Sequence, residues 1–378
     1  MRLIVVGSGV VGASCAYTAS RQGAEVLLAD AAIPGQATAA GAGIVCPWAS
    51  ALADDPVWYA LACASVRYLP ELVADLAEDG EAEVGYRQVG ALILAESAQQ
   101  QRQAERRIQA RRAEAPEIGE VAAMTGAQAR ELFPPLREDC AAVSVGGACR
   151  VDGRLLAGAL ARAAVAQGTV ITASRAELVC RKGRAVGVML KGELVEADAV
   201  VAATGAWTAQ ILKPAGIAVT MAPQRGQIVH LSVAPADTRR WPVVLPASSS
   251  HYLLAFDGSR VVVGATRESG AGFDHRVTAG GLSQVLREAL AVAPGLAGAS
   301  YVETRVGFRP MGPDARPLLG PVPRVEGLVV ATGLGANGLT MGPYAGAIAA
   351  RVALAQPPGI DLAAVDPLRS PQAASAVG

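Results

Sequence analysis

Apolar runs and glycine-rich turns alternate at the start of the chain. Residues 2–6 are apolar and β-branched, which predicts a strand. Residues 13–22 have the pattern of a helix, which Gly23 ends. A second apolar run over residues 25–29 predicts another strand, and Asp30 follows it. The hydrophobic pattern therefore predicts a strand–helix–strand unit within the first thirty residues.

The turn into the first helix contains Gly7, Gly9 and Gly12 in the spacing G-x-G-x-x-G. The first glycine permits a tight turn, the second lets a pyrophosphate approach the backbone, and the third lets helix and strand pack closely. The helix N-terminus attracts phosphate, and Asp30 can accept hydrogen bonds from a ribose while disfavouring NADP. We therefore predict a dinucleotide site. The alternatives are an ordinary glycine-rich turn and a secretory signal peptide, which the turn spacing and the amphipathic end of the helix oppose.

The remaining pattern predicts further helices and strands that alternate along the chain. Helices are predicted over residues 54–79, 97–114, 123–133, 154–167, 278–293 and 341–354, and strands over residues 86–89, 91–94, 170–171, 179–182, 185–190, 194–195, 197–203, 223–231, 251–254, 260–264, 301–308 and 328–332. The later strands have short turns between them, which suggests an antiparallel sheet with a helix beside it.

Several later stretches consist mostly of residues with small side chains or none. Residues 37–44 are small and apolar, so their backbone can lie flat against a planar ligand; the alternative is a flexible surface loop, although flexible linkers are usually polar. Two strands end in Ala-Thr-Gly, at residues 203–205 and 331–333. A glycine-rich loop over residues 335–340 precedes the last helix, whose N-terminus can hold an electron-rich group.

Composition narrows the class of protein. The chain has 378 residues, of which 52% are hydrophobic, so it is long enough for two domains or one large one with a sizeable core. Thirty-three Lys and Arg balance 33 Asp and Glu without a basic block, which argues against nucleic-acid binding. No apolar run is long enough for a transmembrane segment, although the mean hydropathy of +0.33 leaves peripheral membrane contact open. The six cysteines lack C-x-x-C spacing, so we predict no metal site, no disulfide framework and a cytoplasmic protein, with peripheral association with the inner membrane left open.

Together these motifs resemble the FAD-dependent D-amino acid oxidase/dehydrogenase family, nearest its bacterial glycine oxidase and D-amino acid dehydrogenase branches. The resemblance rests on the N-terminal glycines, residues 38–44 and 200–208, Arg225-Gly226-Gln227, Gly307-Phe308-Arg309-Pro310 with Asp314, and residues 333–340. It implies a mixed α/β, bilobal flavoprotein with a Rossmann-like FAD domain and a smaller substrate domain built on an antiparallel or mixed sheet. The implied FAD domain comprises residues 1–82, 145–216 and 303–365, the substrate domain residues 83–144 and 217–302, and the C-terminal tail residues 366–378.

The resemblance also implies which residues contact FAD. Those implied for the AMP half and the phosphates are Gly7, Gly9, Val10, Val11, Gly12, Asp30 and Ala31, with Ala176 at the adenine and Thr204, Gly205 and Trp207 beside the nucleotide. Those implied for the flavin are Ala37, Thr38, Ala42, Gly43, Ile44, Leu334, Gly335, Ala336, Asn337, Gly338, Leu339 and Thr340.

For the substrate, the resemblance implies that Arg309 binds a carboxylate with its guanidinium fork and that Tyr252 donates its hydroxyl to the same group. Taken alone, Arg309 is better explained by a structural ion pair, and only its motif favours the substrate role. Tyr252 is explained equally well by ordinary packing. The glycine oxidase branch has an arginine where this chain has Ala336, and many relatives have tryptophan where it has Arg305. Larger, cyclic and N-substituted D-amino acids are therefore candidate substrates beside glycine.

The implied reaction is oxidation of the C–N bond of a D-amino acid, glycine or a related amino acid. Hydride passes from the α-carbon to flavin N5, and the imino acid is hydrolysed to a keto acid and ammonia. Oxygen or a quinone would reoxidise the flavin, and the sequence leaves the oligomeric state open, a homo-oligomer included. Two alternatives remain, an NAD-linked dehydrogenase and a non-catalytic nucleotide-binding or partner-binding protein.

Overall fold

The computed structural model describes residues 1–247 and 249–370, so residues 371–378 of the expected tail lie outside the described residues. The strands are, in chain order, β1 (Arg2–Val6), β2 (Glu25–Asp30), β3 (Ile44–Val45), β4 (Arg87–Gln88), β5 (Ala91–Ala95), β6 (Val121–Met124), β7 (Ala141–Val145), β8 (Cys149–Arg150), β9 (Val170–Ala173), β10 (Ala176–Arg181), β11 (Arg184–Leu190), β12 (Glu193–Glu196), β13 (Ala199–Ala202), β14 (Ala222–Ser232), β15 (Val243–Pro246), β16 (Tyr252–Phe256), β17 (Arg260–Gly264), β18 (Ser300–Met311), β19 (Leu318–Pro321) and β20 (Leu328–Thr332). The helices are α1 (Val10–Arg21), α2 (Pro56–Glu78), α3 (Ala98–Arg111), α4 (Gly126–Leu132), α5 (Gly153–Ala166), α6 (Thr208–Leu212), α7 (Ala279–Val292) and α8 (Gly338–Ala353). Within the described ranges, no helix has both the length and the apolar character that crossing a membrane requires.

A six-stranded sheet, in the order β19-β20-β13-β1-β2-β9, contains the N-terminal unit. β1 runs parallel to β2 and β13, and β20 and β9 extend the parallel part on either side. Residues 3–6 of β1 are buried, because its two faces pack in different core clusters, one that contains residues of α1 and one that contains residues of β10 and β11. Because parallel strands end at the same edge of a sheet, Gly7, Asp30, Thr204 and Gly333 lie along one edge.

A second sheet has eight strands in the order β18-β14-β17-β16-β15-β5-β7-β6. Its long strands β14 and β18 pair antiparallel from Ala222 and Met311 to Ser232 and Ser300. β5 and β15 run parallel, so the sheet is mixed rather than purely antiparallel. β18 crosses the expected domain boundary at residues 302 and 303; the division into domains stays a prediction.

The mixed α/β class that the sequence predicts is confirmed. One element differs from its prediction, since residues 123–133 do not form a single helix. Val121–Met124 is a strand that pairs with β7, and the helix begins after Thr125. The Thr125 hydroxyl accepts a hydrogen bond from the backbone N–H of Gln128, whose side chain in turn accepts one from the Thr125 N–H. This capping box fixes the start of α4, and apolar periodicity alone does not detect it.

Candidate active site

A cavity of about 490 Å³ has walls from both large sheets. Asp30, Ala176 and Glu177 belong to the part of the wall formed at the edge of the six-stranded sheet and by β10. Tyr252 and Arg309 come from β16 and β18 of the eight-stranded sheet. The cavity therefore runs along the strand ends where dinucleotides bind in open parallel sheets and reaches a second, different wall.

The N-terminus of α1 reaches the cavity through Gly9, Val10 and Val11. Gly9 is the N-cap residue and provides no side-chain cap, while the Val10 N–H donates to the Thr38 hydroxyl at 3.0 Å. A helix N-terminus at a cavity favours a bound anion such as a pyrophosphate. Gly12 does not line the cavity, because it faces the turn: a Cβ built there would lie 1.8 Å from the Gly7 carbonyl oxygen.

Asp30 is held in place by its neighbours at the end of β2. One carboxylate oxygen accepts hydrogen bonds from the Ser8 N–H at 2.6 Å and the Ser8 hydroxyl at 2.9 Å. The other accepts them from the Ala32 N–H at 2.6 Å and the Gln36 amide at 2.9 Å. These four hydrogen bonds fix the orientation of the carboxylate at the cavity wall and use about all of its acceptor sites, so a ribose hydroxyl would take the place of one of the two side-chain donors, Ser8 or Gln36.

A second helix N-terminus, that of α8, meets the small-residue loop at the cavity. Gly335, Gly338 and Leu339 line the wall, and the α8 N-cap Asn337 provides no side-chain cap. Thr340 turns away from the cavity and donates its hydroxyl to the Ile44 carbonyl oxygen at 2.9 Å. The hydroxyl thereby joins the start of α8 to the end of the small-residue loop, so two parts of the cavity wall are connected.

Most of the sequence-predicted site residues lie on this one cavity. The wall includes Gly7, Gly9, Val10, Val11, Asp30, Ala31, Ala37, Thr38, Ala42, Gly43, Ile44, Ala176, Thr204, Gly205, Trp207, Tyr252, Arg309, Leu334, Gly335, Ala336, Gly338 and Leu339. Gly12, Asn337 and Thr340 are outside it, and the first and last of these act through the packing just described.

Arg309 crosses the backbone of β14 at Gly226. Its Nη1 donates to the Gln224 side-chain oxygen at 3.2 Å and to the Thr266 carbonyl oxygen at 3.0 Å, so one arm of the fork is fixed by neutral acceptors. Burial lowers the pKa of Arg309, yet an arginine keeps its charge in a protein. A partly buried guanidinium beside a cavity is suited to binding a carboxylate.

Tyr252 lies next to this guanidinium. Its hydroxyl would be 2.9 Å from a Cβ at Gly264, so the ring rests on a strand position that has no side chain. Burial raises the pKa of Tyr252, against the opposing charges of Arg309 and Arg267. The phenol therefore stays protonated at neutral pH and can donate a hydrogen bond.

Arg267 also lines the cavity, although it was not among the residues predicted for the site. It follows the end of β17 in a polar stretch, Arg267-Glu268-Ser269-Gly270, that is typical of a turn. Arg267 could have been located by continuing the strand predicted over residues 260–264 past Gly264, with its alternation of side chains between the two faces. Phe308 was recognised only as part of a motif; its ring meets Trp207 edge-on, with 5.9 Å between the ring centroids, and both aromatic rings line the wall.

The walls fit FAD. Two uncapped helix N-termini suit the pyrophosphate and the electron-rich edge of a reduced flavin, the oriented carboxylate of Asp30 suits a ribose, and the small-residue loop leaves room for a planar ring. Fold and cavity thus define an α/β dinucleotide-binding protein with a second, cationic wall. The chain belongs to the FAD dependent oxidoreductase (DAO) family, whose model matches residues 2–352. The family resemblance and the FAD cofactor that the sequence predicts are therefore confirmed, and the NAD-linked alternative is not supported.

Comparison with known proteins gives similar chains of nearly the same length. An uncharacterized oxidoreductase, YurR, of Bacillus subtilis (strain 168) is 46% identical over 365 residues, which cover 96% of this chain and 98% of that protein. The crystal structure of iminodiacetate oxidase (IdaA) from Chelativorans sp. BNC1 shares 47% sequence identity with a TM-score of 0.94, covering 98% of this chain and 100% of the other. Glycine oxidase from Geobacillus kaustophilus shares 28% identity with a TM-score of 0.85 and covers 98% and 99%.

Proposed function

We propose that this protein oxidises a C–N bond of an amino acid, using FAD as the electron acceptor. The observation that carries the proposal is the pairing of Arg309 with Tyr252 on the same cavity as the two helix N-termini that fit FAD. Guanidinium and phenol are both donors, and together they suit a carboxylate. A substrate held by its carboxylate would present its amine-bearing carbon to the flavin.

The residues would contribute alignment rather than acid–base catalysis. Arg309 and Tyr252 would hold the carboxylate, and the aromatic side of the cavity, with Trp207 and Phe308, would keep water from the reacting carbon. Bound FAD would supply the chemistry by accepting a hydride from that carbon. The nitrogen lone pair then forms the C=N bond, and water hydrolyses the imine to a keto acid and an amine.

The family and the similar proteins support a small amino acid as substrate, with glycine, D-amino acids and iminodiacetate as the candidates. Iminodiacetate is included as a candidate because iminodiacetate oxidase from Chelativorans sp. BNC1 shares 47% sequence identity over 98% of this chain. The division into an FAD domain and a substrate domain is part of the same proposal, since it would place FAD at the six-stranded sheet and the carboxylate-binding residues on the eight-stranded sheet.

The test is anaerobic reduction of the bound flavin. The purified protein, checked for its yellow FAD spectrum, is mixed without oxygen with glycine, sarcosine, iminodiacetate, and D- and L-amino acids. We expect one class of these amines to bleach the flavin. Air is then readmitted and peroxide is assayed: peroxide formation indicates oxygen as the acceptor, and its absence favours a quinone. Arg309→Ala should retain FAD and lose the bleaching. A flavin that no amine reduces, or an Arg309→Ala protein as fast as wild type, would overturn the proposal.

A further inference from the structure

Beyond β17, the chain continues to pair with β14. The Arg225 N–H donates to the Glu268 carbonyl oxygen at 3.1 Å, and the Glu268 N–H returns a hydrogen bond to Arg225 at 2.9 Å. One residue along in this register, Arg267 falls opposite Gly226. Since side chains alternate between the faces of a sheet, Arg267 projects to the cavity side, whereas its neighbours Thr266 and Glu268 project to the other. Arg267 accordingly lines the cavity, and Glu268 pairs with Arg225.

The segment that carries Arg267 is fixed on its far side. Nη2 of Arg225 lies 2.5 Å from one carboxylate oxygen of Glu268, whose other oxygen accepts from the Gln227 amide at 2.7 Å. Arg225 also pairs with Asp274 at 3.0 Å, and the ring of Phe273 stacks on Trp207 with 5.0 Å between centroids. These contacts hold the residues that follow Arg267, and on the preceding side the Thr266 N–H donates to the Gln227 carbonyl oxygen at 3.3 Å. The guanidinium is therefore carried by a segment paired with β14 rather than by a free loop.

Among the described residues, the part of the cavity wall that carries Arg267 and Arg309 has no acidic side chain to balance their positive charge. Within residues 1–247 and 249–370, the acidic side chains on the cavity wall are Asp30 and Glu177, which belong to the wall away from the eight-stranded sheet. Arg267 makes no ion pair or hydrogen bond with a side chain in those ranges, and Arg309 donates to the neutral acceptors Gln224 and Thr266. Two guanidinium groups thus flank Gly226 and face the cavity, where they can attract an anionic ligand.

We propose that Arg267 forms a second carboxylate subsite, and that the preferred substrate is a dicarboxylic amine. The inference rests on the proposed function: Arg309 and Tyr252 would bind the carboxylate beside the carbon that is oxidised, and Arg267 would bind the second carboxylate beyond the nitrogen. With iminodiacetate, the carbon beside the first carboxylate would lose a hydride, which bound FAD would accept, while the nitrogen would form the C=N bond and release its proton; water would then hydrolyse the imine to glyoxylate and glycine. Arg267 is then a specificity-determining residue, and its exposed position at the cavity lets the second carboxylate stay near water.

A matched pair of substrates tests the subsite directly. Iminodiacetate and its monoamide, N-(carbamoylmethyl)glycine, have nearly the same shape and differ by one negative charge. We expect kcat/KM of the wild-type holoenzyme to favour the diacid by roughly 10- to 100-fold, the worth of one charge-assisted hydrogen bond. Arg267→Gln should bring this ratio toward one, and Arg267→Lys should keep part of it. Arg276→Gln changes an exposed arginine of the same segment that is off the cavity wall, so it should keep the wild-type ratio.

A binding measurement provides a readout that does not depend on turnover. Oxydiacetate replaces the amine with an ether and cannot be oxidised by the same route, and methoxyacetate is its monocarboxylate counterpart. We expect calorimetry to give tighter binding of oxydiacetate to the wild-type holoenzyme, and Arg267→Gln to lose that advantage. D-aspartate and D-glutamate, tested in parallel, show whether a second carboxylate on the side chain is preferred instead, which would contradict the placement beyond the nitrogen.

The outcomes separate this inference from the proposed function. A wild-type ratio near one, or a ratio that survives Arg267→Gln, overturns the second subsite even when glycine or another monocarboxylate bleaches the flavin. If no amine bleaches the flavin, the proposed oxidation fails; Arg267-dependent binding of oxydiacetate would then still support a dicarboxylate site, and equal binding by Arg267→Gln would overturn that as well.

Discussion

Arg309 reaches the cavity by crossing the α-carbon of Gly226 on the neighbouring strand. A Cβ built at Gly226 would lie 2.8 Å from Nη2 of Arg309 and 2.9 Å from its Cζ. In the β14–β18 pairing, Arg309 stands opposite Gln224 and Gly307 opposite Gly226, so the guanidinium leans diagonally across a position that has no side chain. The glycine of Arg225-Gly226-Gln227 therefore determines where the arginine can lie.

Gly226→Ala should displace Arg309 and weaken substrate binding. A displacement of about 1 Å at a positioning group can cost roughly 100-fold in rate, and we expect a loss of that order in kcat/KM. The visible spectrum should show that FAD stays bound, because Gly226 is on the sheet that does not carry the fitting helix N-termini. Gly280→Ala is the matched control, since a Cβ there meets nothing within 4 Å. An unchanged kcat/KM for Gly226→Ala would contradict the proposed position of the clamp.

Asp30→Ala should weaken FAD binding without changing the fold. The mutation removes the acceptor for a ribose and also the partner of Ser8, so the turn beside the pyrophosphate loses a hydrogen bond of 2.6 Å. We expect the dissociation constant of FAD to rise at least about 10-fold, as for loss of one charged hydrogen bond. Glu25→Ala, at the exposed start of the same strand, is the control. Fluorescence titration of the apoprotein with FAD measures both, and equal affinities would rule out the assigned role of Asp30.

The sequence predicted the dinucleotide unit well because its signals are local. The strand, the glycines and Asp30 lie within thirty residues, and the geometry of their turn depends on few distant contacts. Arg309 was found only through its motif, since an isolated arginine does not reveal which strand it crosses. Arg267 was missed because its position depends on pairing with β14, about forty residues earlier in the chain, across a stretch whose composition predicts a turn. For the same reason the sequence could not decide between an antiparallel and a mixed second sheet, because the parallel strands β5 and β15 are far apart in the chain.

His230 should make stability depend on pH in a mildly acidic window. The side chain is 2% exposed, and neither ring nitrogen has a hydrogen-bond partner among the described residues. Burial, helped by the charges of Arg305 and Arg260 and opposed by Glu303 and Asp152, lowers the pKa of His230 from 6.5 to about 4. Between these values the unfolded chain binds a proton that the folded chain does not, so stability falls as pH falls from 6.5 to 4.

His230→Leu should remove that part of the pH dependence. The lowered pKa corresponds to roughly 3 kcal/mol across the window, and the leucine also avoids burying two unpaired nitrogens. Urea unfolding at a series of pH values from 7 to 4 measures the difference between the two proteins. His275→Gln, at an exposed position, should keep the wild-type curve. Parallel curves for wild type and His230→Leu would show that His230 is not the group responsible.

Asp152 connects the start of α5 to the eight-stranded sheet, and two substitutions can separate its roles. One carboxylate oxygen caps the helix by accepting from the N–H groups of Arg154 at 3.0 Å and Leu155 at 3.3 Å. The other accepts from Nη2 of Arg260 at 2.6 Å. Burial acts to raise the pKa of Asp152, but the hydrogen bond and charge of Arg260, with the two backbone N–H groups, outweigh it and lower the pKa.

Asp152→Asn should keep the cap and lose the ion pair, whereas Asp152→Ala should lose both. We expect free energies of unfolding lower by about 1 to 2 kcal/mol for the asparagine and about 2 to 3 kcal/mol for the alanine at pH 7, since a cap is worth about 1 kcal/mol. Because the folded pKa is lowered, the contribution of the carboxylate is present above the unfolded pKa of about 3.9 and is lost as pH falls below it through the folded pKa. The gap between wild type and Asp152→Asn should therefore narrow in acid. Equal stabilities of these two proteins at pH 7 would mean that the Asp152–Arg260 pair adds nothing to the connection between helix and sheet, and that the cap alone accounts for the alanine effect.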